Sequence, residues 1–403
     1  MSRPAGGRPR VAHVATTDVT HRFLLLPQLR ALRDAGYEVS AISAPGPWTD
    51  DLTAEGIRFV PWTKATRAWD LRADVGAFRE LIGIFRRERF DVVHAHNPKP
   101  GIMARVAARV ARAPAVLNTV HGFYAMPEDR LRRRLPVMSL EWAAARCSDV
   151  ELYQSEEDLA WSQRLRIARP PKARHLGNGI DVGFFDPALV PRDRVRELRR
   201  ELGLPIDGPV VGTVGRMVLE KGFRELFAAA ATIRRSRPDV KFLVVGEIDA
   251  GKWDALDPTE VERAREDVVV AGWRTDIRDL LGAMDVFVLP SWREGMPRSA
   301  IEAAAMARPM VLTDIRGCRE VAREGVEGHL VPVRDPASLA AAIERLLSDP
   351  AERARMGRAA RARALERFDE RRVASTVLQV TAELLRRKGY RVPAEPSITA
   401  EPG

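Results

Sequence analysis

Cysteines and long apolar runs are scarce in this chain. Its 403 residues include two cysteines, Cys147 and Cys318, which are too few for a disulfide framework and fit a reducing cytoplasm. No apolar run approaches the ~18 residues of a membrane span. The basic N-terminus, MSRPAGGRPR, leads directly into the strand-like VAHVATT without the apolar core of a signal peptide. We therefore expect a cytoplasmic protein with a disordered N-terminal tail.

Two common ligand-binding patterns are also missing. Neither half of the chain has G-x-G-x-x-G after its first strand-like run, since GTVGRMVLEKG has a different spacing, so nicotinamide binding has little support. The net charge of +10, from 65 basic and 55 acidic residues, suits anionic partners but is equally typical of an arginine-rich composition. Because no stripe of interleaved aromatic and basic residues is present, we do not expect nucleic-acid binding.

The chain does have a regular alternation of strand-like and helix-like segments. In the first half, β-branched runs such as EVSAIS, FDVVHAH and AVLNTVH alternate with amphipathic stretches such as VGAFRELIGIFRRER. The second half repeats this rhythm, from PVVGTVGR through VKFLVVGE and DVVVAGW to DVFVLPS. The alternation predicts parallel, doubly wound sheets, and the length favours two domains.

The domain limits are predicted from composition. The segment around Pro187 to Pro209 is charged and punctuated by prolines, which is typical of a linker. We predict a Rossmann-like domain over 1–190, a linker over 191–208, a second Rossmann-like domain over 209–365, C-terminal helices over 366–390 and a disordered tail over 391–403.

The segment REGMPRSAIEAAAMARP carries two glutamates between the predicted strands DVFVLPS and PMVLTDI. Pro297 suits the first position of a helix, so Glu294 is predicted in a loop and Glu302 in the helix. The loop after a parallel strand, and the helix N-terminus after it, commonly bind polar ligands. A carboxylate can accept two hydroxyl protons of a sugar; the alternatives are a helix-terminal charge and an ion pair with a neighbouring arginine.

A second strand–loop–helix connection, GTVGRMVLEKGFREL, presents Arg216 and Lys221. Arginine supplies a fork of donors and lysine a mobile point charge, and this combination suits a diphosphate. The alternative is that both are solvated loop charges.

Histidines end two of the predicted strands. HAHNPKPG places His94 and His96 on one face by the period of two, which is how a metal site can begin. No third ligand with zinc or iron spacing lies nearby in the sequence, so we predict no metal ion there. His121 precedes Gly122, which lets the backbone approach a ligand closely. It is the stronger candidate for an active-site histidine.

Together these segments resemble the family 4 retaining glycosyltransferases. The E-x7-E motif of that family matches EGMPRSAIE, and its diphosphate-binding pair matches Arg216 and Lys221. GNGIDVGFF, VAGWRTDIRDLL and GCREVAREGVEGHLVP are further matches, in the family's order and over nearly the whole chain. The resemblance implies an α/β fold of GT-B type, with two facing Rossmann-like, doubly wound domains and a C-terminal helix that crosses back to the first.

The resemblance also implies roles for single residues. Glu294 would contact hydroxyls of the donor sugar, Glu302 the ribose diol and His121 the donor sugar. The predicted sites are His121 and Glu294 for catalysis; Arg216, Lys221, Arg274, Glu294 and Glu302 for donor binding; Thr16, Thr17, His96 and Lys99 for the acceptor or the domain interface; and no metal ligands. ATTDVTHR stands where many relatives have a glycine-rich loop, so Thr16 and Thr17 do not inherit that loop's role.

The implied reaction moves a hexose or N-acetylhexosamine from a nucleotide diphosphate sugar, with a UDP-sugar favoured and no other cofactor. EGMPRS, DIRGCREV and HNPKPG are most similar to bacterial enzymes that build capsular, O-antigen or exopolysaccharide repeats. That similarity implies a polyprenyl-diphosphate-linked acceptor and a peripheral position at the inner face of the membrane. A nucleotide-sugar epimerase of the same architecture is the alternative.

The segment EDRLRRRLPVMSLEWAAARC favours docking on an anionic membrane surface, because basic residues lie beside apolar ones. The basic residues are Arg130, Arg132, Arg133 and Arg134, and the apolar ones are Val137, Met138, Leu140 and Trp142. A solvated charge run that leads into a core helix is the alternative interpretation.

Overall fold

The computed structural model describes residues 7–66, 69–96, 98–126 and 129–393. The chain divides into two compact units. Unit 1 comprises Met1–Gly177 and Arg371–Gly403, and unit 2 comprises Asn178–Glu370. The N-terminal tail up to residue 6, and residues 394–403 of the tail predicted to be disordered over 391–403, lie outside the described residues. Within that predicted tail, Val392 is described and packs against the core of unit 1, because the chain after α16 stays on that core.

Unit 1 is built on a seven-stranded sheet in the order β3-β2-β1-β4-β5-β6-β7, and every strand pair is parallel. The strands are β1 Arg10–Thr17, β2 Glu38–Ala44, β3 Arg58–Pro61, β4 Val92–His96, β5 Ala115–Val120, β6 Val150–Tyr153 and β7 Ala173–His175. The helices are α1 Asp18–Thr20, α2 Leu26–Asp34, α3 Thr49–Ala54, α4 Leu71–Glu88, α5 Pro98–Val110, α6 Leu131–Ala145 and α7 Glu156–Arg164, with a π-helical turn at His21–Leu25.

Helices cover both faces of this sheet, which explains the nearly continuous apolar strands. Successive side chains of β1 enter different cores: Val11 packs with residues of α2, whereas Ala12 and Val14 pack with residues of α4 and α5. The predicted alternation of strands and helices is confirmed. The short β7, after a Pro-Pro pair, was not predicted, because three residues carry too little periodicity.

Unit 2 has a six-stranded parallel sheet in the order β10-β9-β8-β11-β12-β13. The strands are β8 Val210–Val214, β9 Lys241–Val245, β10 Val268–Gly272, β11 Val286–Leu289, β12 Met310–Thr313 and β13 Gly328–Val331. The helices are α8 Arg192–Glu201, α9 Phe223–Ser236, α10 Pro258–Ala264, α11 Ile277–Ala283, α12 Arg298–Ala305, α13 Cys318–Val321, α14 Pro336–Ser348 and α15 Pro350–Arg367, with 3-10 turns at Pro187–Leu189 and Leu219–Lys221.

The last helix, α16, spans Glu370–Arg387, and from Arg371 onward it belongs to unit 1. Its apolar stripe, which includes Val373, Val377 and Leu378, packs in the same core as Val11 and α2. The chain thus leaves unit 1 at Gly177 and returns to it at Arg371.

The boundary between the units lies earlier than the proline-punctuated segment 191–208. Most of that segment forms α8, whose Leu198 is buried in the core of unit 2. The guanidinium of Arg199 donates to the carbonyl of Ala283 at 2.7 Å and to the carboxylate of Asp285 at 3.0 Å. Composition alone pointed to a linker, but these buried contacts make the segment part of the domain.

Candidate active site

The sheet of unit 2 has its topological switch point between β8 and β11. The chain runs from β8 to β9 on one side, and β11 pairs with β8 on the other. In open parallel sheets the crevice at the carboxyl ends of two such strands is where ligands bind. Arg216 and Lys221 follow β8, and Glu294 follows β11, so both predicted loops border this crevice.

Lys221 and Glu294 meet there. The Nζ atom of Lys221 lies 2.6 Å from Oε1 of Glu294, although the residues are 73 positions apart in sequence. The hydroxyl of Ser291 donates to the same Oε1 at 2.8 Å. The side chain of Glu294 is 8% exposed, which places its carboxylate at the edge of solvent. Lys221 and Ser291 hold the carboxylate in that position.

Backbone contacts fix the two loops against each other. The amide of Trp292 donates to the carbonyl of Glu220 at 2.7 Å, and its indole donates to Glu225 at 3.0 Å. Gly222 has a φ of 72°, and a Cβ atom there would lie 2.0 Å from the carbonyl oxygen of Pro290. Only glycine fits this approach, which is why KG ends the loop after β8.

Glu302 lies in α12, and Glu294 lies in the preceding loop, as predicted. Pro297 is the N-cap residue of α12, one position before the predicted first turn. Arg298 donates to Glu302 through Nε at 3.0 Å, so the ion-pair alternative holds for this glutamate. Burial raises the pKa of Glu302, and Arg298 opposes that rise.

The two predicted donor-binding arginines both have carboxylate partners. Arg216 is largely exposed and pairs with Asp249, which follows β9. Arg274 follows β10 and donates to Asp276 at 2.6 and 2.8 Å and to Glu201 of α8 at 2.7 Å. Through these three hydrogen bonds the Arg274 guanidinium joins α8 to the loop after β10. Its predicted donor-binding role therefore has the least geometric support in the set.

Sequence reasoning missed three residues of this site. Ser291 and Asp249 are the partners just described, and Arg316, after β12, donates to the backbone carbonyl of Glu294 at 3.5 Å. Arg316 is 7% exposed. The sequence did contain a signal for these three residues. Each follows a strand-like run, and the carboxyl ends of parallel strands meet at the sheet edge where Glu294 was predicted.

In unit 1 the switch point lies between β1 and β4. Thr16 and Thr17 end β1 and are partly exposed, which leaves their predicted acceptor role open to test. The adjacent Asp18 accepts from the amides of Val19 at 2.8 Å and Trp48 at 2.7 Å, so it joins the loops after β1 and β2. Lys99 is buried in α5, where it pairs with Asp74. Lys99 therefore has a carboxylate partner within unit 1, and its predicted role in binding the acceptor substrate stays a prediction.

The predicted histidines are brought together. Nδ1 of His96 lies 3.1 Å from Nε2 of His121, and Nε2 of His96 lies 2.9 Å from Nδ1 of His13. Burial lowers the pKa of His121 to about 4, and the side chain of Gln154 opposes that shift. A neutral imidazole can both donate and accept a hydrogen bond, which suits contact with a sugar hydroxyl.

Two of the four apolar residues predicted to dock on a membrane, Val137 and Met138, pack against the protein core instead. Met138 is buried and Val137 packs against the same core, because α6 turns one side towards β6. The exposed side instead presents Leu131, Leu135, Leu140 and Trp142 next to Arg130, Arg132 and Arg133; we call these seven residues the α6 surface. Among the helices that the structure describes, none combines the length and the apolar character needed to cross a bilayer.

Two parallel α/β units, each with polar residues at the switch point of its sheet, have the architecture of the GT-B class. Two family models match the chain: "Glycosyltransferase Family 4" over residues 28–184 and "Glycosyl transferases group 1" over residues 208–349. The chain belongs to the family 4 glycosyltransferases and is a glycosyltransferase. This assignment gives the epimerase alternative no support.

Several relatives of the chain are named as bacterial glycosyltransferases. The UDP-Gal:alpha-D-GlcNAc-diphosphoundecaprenol alpha-1,3-galactosyltransferase of Escherichia coli is 30% identical over 84% of this chain and 88% of its own length. The capsular polysaccharide biosynthesis glycosyltransferase CapM of Staphylococcus aureus is 25% identical over 86% and 90%. The crystal structure of Anabaena HepE with UDP-glucose superposes with a TM-score of 0.75 at 20% identity, covering 94% of this chain and 99% of that one.

Proposed function

We propose that the chain transfers a hexose or N-acetylhexosamine from a UDP-sugar to a polyprenyl-diphosphate-linked saccharide, in the synthesis of a cell-surface polysaccharide. The observation that carries the proposal is the Lys221–Glu294 pair at the switch point of unit 2. It sets a cation suited to a diphosphate beside a carboxylate suited to sugar hydroxyls. The name of the Escherichia coli relative supports both the UDP-sugar and the lipid-linked acceptor.

The donor-binding roles follow from charge and position. Lys221 and Arg216 would contact the diphosphate, and Glu294 would accept hydrogen bonds from the sugar. Glu302 would accept from the ribose hydroxyls, and its partial burial beside Arg298 keeps the carboxylate fixed in α12. Two cations at the diphosphate would replace a divalent metal ion, so the transfer needs no magnesium or manganese.

The chemical step breaks the bond between the anomeric carbon and the diphosphate oxygen, whose electron pair leaves with UDP. The acceptor hydroxyl forms the new bond on the same face of the sugar, and its proton passes to the departing phosphate oxygen. Retention follows from this geometry without an enzymatic nucleophile. Lys221 and Arg216 would stabilise the charge that develops on the diphosphate. His121 remains the predicted catalytic residue of unit 1.

A lipid-linked acceptor lies in a membrane, so the enzyme would act as a peripheral protein at the inner face. The α6 surface is the proposed contact, because it places exposed apolar side chains next to arginines. Anionic lipid headgroups would bind the arginines, and the leucines and tryptophan would enter the interface.

The test combines a panel of UDP- and GDP-sugar donors with either a polyprenyl-diphosphate-linked N-acetylglucosamine or a soluble sugar as acceptor. We expect at least one UDP-sugar to yield a glycolipid heavier by one sugar, with an equal amount of UDP released and an α-linkage by NMR. The matched control is Lys241→Ala, because Lys241 lies at the amino end of β9, at the sheet edge opposite the candidate site. The Lys241→Ala variant should transfer sugar normally, whereas the Lys221→Ala variant should not. Transfer from GDP-sugars alone, or to soluble sugars alone, would overturn the proposed donor or acceptor.

A further inference from the structure

A cluster of buried histidines lies in the sheet of unit 1. His13 on β1 is the register partner of His94 on β4, and His96 lies two positions further along the same strand. The three side chains therefore project from one face of adjacent central strands. All three residues have no exposed surface. Their ring centroids are separated by 4.7 Å for His13 and His94, 4.2 Å for His94 and His96, and 5.1 Å for His13 and His96.

One nitrogen from each ring lies within 4.8 Å of the other two. Nδ1 of His13 and Nε2 of His96 are 2.9 Å apart. Two nitrogens bound to one tetrahedral ion at ~2.05 Å would be about 3.3 Å apart, so small ring movements convert the observed spacing into a coordination edge. The cluster thus holds one pair of nitrogens near the spacing of a coordination edge, with a nitrogen of the third ring within 4.8 Å of both.

The protonation of the rings suits coordination. Burial and the neighbouring imidazoles hold the pKa of His13 and His96 well below 6.5, and burial lowers the pKa of His94 to about 3. The rings are therefore neutral at pH 7, and each has a nitrogen lone pair available. A neutral imidazole is the form in which histidine binds a metal ion.

The hydrogen bonds around the cluster leave nitrogens without partners. Nε2 of His94 lies 2.8 Å from the hydroxyl of Thr119, and Nδ1 of His96 faces His121. Within the described part of the chain, Nδ1 of His94 and Nε2 of His13 have no hydrogen-bond partner. A buried nitrogen without a partner is costly, and an ion bound by Nδ1 of His13, Nε2 of His96 and Nδ1 of His94 would satisfy the last of these. Thr119 and His121 would then act as the outer partners that orient the ligand rings.

We propose that His13, His94 and His96 bind one transition-metal ion of the zinc, cobalt or nickel type. Three imidazoles favour these ions over magnesium and calcium, which prefer oxygen ligands. The ion would join β1 to β4 and fix the ring of His96 against His121. The site is separate from the diphosphate-binding residues of unit 2 and does not depend on the proposed function. It replaces the sequence-based expectation of no metal, which rested on the two histidines of HAH alone.

The third ligand explains why the sequence pattern failed. His13 lies 83 positions before His96 and has no spacing relationship to the HAH motif. Only the pairing of β1 with β4 brings it to the other two. Zinc sites are recognised in sequences by short ligand spacings, and this one has a short spacing for two ligands only.

The test uses untagged protein, so that no affinity-tag histidines bind metal. Protein purified from zinc-supplemented cells and passed through a desalting column is expected to retain about one zinc per chain by mass spectrometry. His94→Gln and His13→Asn are expected to lose that zinc. His175→Gln, which changes an exposed histidine outside the cluster, is the matched control and should retain it.

A second measurement avoids the risk that a core variant misfolds. In wild-type protein labelled with 15N at histidine, zinc or cobalt should shift the ring nitrogens of the three cluster residues and leave His175 unchanged. Cobalt should also give visible absorption bands of a nitrogen-coordinated ion, which zinc removes by competition. Unshifted cluster nitrogens in the presence of zinc, or equal zinc retention by His94→Gln and wild type, would overturn the proposal.

Discussion

The Nζ atom of Lys221 lies 2.6 Å from Oε1 of Glu294, across the loops that follow two neighbouring strands of unit 2. One residue comes from the loop after β8 and the other from the loop after β11, at the switch point of the sheet. The pair is held by Ser291 and by the backbone contact between Trp292 and Glu220. The cation and the carboxylate are thus fixed in place before any substrate binds, which is what preorganised charge stabilisation requires.

Removing either member of this pair should abolish most transfer while the fold stays intact. Loss of one charge-stabilising contact at a reacting centre costs on the order of 3 kcal/mol, or ~100-fold in rate. We expect losses of that size in kcat/KM for Lys221→Ala and Glu294→Ala, with an unchanged circular dichroism spectrum. Lys241→Ala is the matched control. Near-wild-type turnover of either variant with a verified donor would rule out the assignment.

Oxygen-preferring cations should not affect the transfer. Lys221 and Arg216 would supply the positive charge that magnesium or manganese supplies to a diphosphate in other enzymes. We expect the same initial rate in EDTA as in buffers titrated with magnesium or manganese. Zinc is left out of this titration, because the histidine cluster is proposed to bind it in unit 1. Complete loss of activity in EDTA, restored by manganese, would contradict the metal-free role of the two cations.

The stability of unit 1 should depend on pH through Glu88. Arg58 donates to its carboxylate at 2.7 Å, and Arg87 and Arg10 donate at 3.1 Å each. The hydrogen bond from Arg58 is the largest cause that lowers the pKa of Glu88 from 4.5 to about 2, against the opposing effect of burial. Because the pKa is lower in the folded state, this contribution is complete above pH 4.5 and is lost as the pH falls towards 2.

The size of this effect follows from the shift. A change of one pKa unit corresponds to at most about 1.4 kcal/mol, and solvent around the exposed Arg58 and Arg87 screens part of it, so Glu88→Gln should lower stability by about 1–2 kcal/mol at pH 7 and by little near pH 2. Hydrogen exchange of the β1 amides at several pH values would measure the difference. Glu38→Gln is the control, because Glu38 also pairs with Arg10 but is half exposed, so its salt bridge should contribute little. A penalty for Glu88→Gln that does not vary with pH would exclude the ionised pairing as its cause.

Local sequence signals were enough to predict most strands and the positions of the two glutamates. EGMPRSAIE lies between two apolar runs, and each run is long enough to show the character of a buried strand. Glu294 and Glu302 therefore could be placed in a loop and a helix from neighbouring residues alone. The resemblance to a family then supplied their expected roles.

Partners from distant segments could not be predicted in the same way. Asp249 pairs with Arg216, and His13 joins His94 and His96, only because strand order brings separate segments together. The prediction of a linker over 191–208 was wrong for a related reason. Its composition is that of a linker, but Leu198 and Arg199 find buried partners in unit 2 that composition does not show.

The α6 surface should bind anionic membranes. It presents Arg130, Arg132 and Arg133 beside four exposed apolar side chains, and the guanidinium of Arg146 lies 3.5 Å from the ring centre of Trp142. Basic residues near an anionic surface contribute about 1 kcal/mol each, so the cluster should support weak, reversible binding that salt screens. The exposed leucines and tryptophan add apolar contact at the headgroup level.

Cosedimentation with liposomes tests this surface directly. We expect the purified protein to pellet with anionic but not with neutral vesicles, to be released by high salt, and to bind less when Arg130, Arg132 and Arg133 are changed to serine. The matched control changes Arg200, Arg235 and Arg358 to serine, which removes the same charge from exposed positions in unit 2. If that control loses as much liposome binding as the α6 variant, the net charge of the protein rather than the α6 surface is responsible for the binding. Equal recovery of the wild type in the supernatant with both lipids would remove membrane docking and leave the donor chemistry untouched, because Lys221 and Glu294 lie in unit 2.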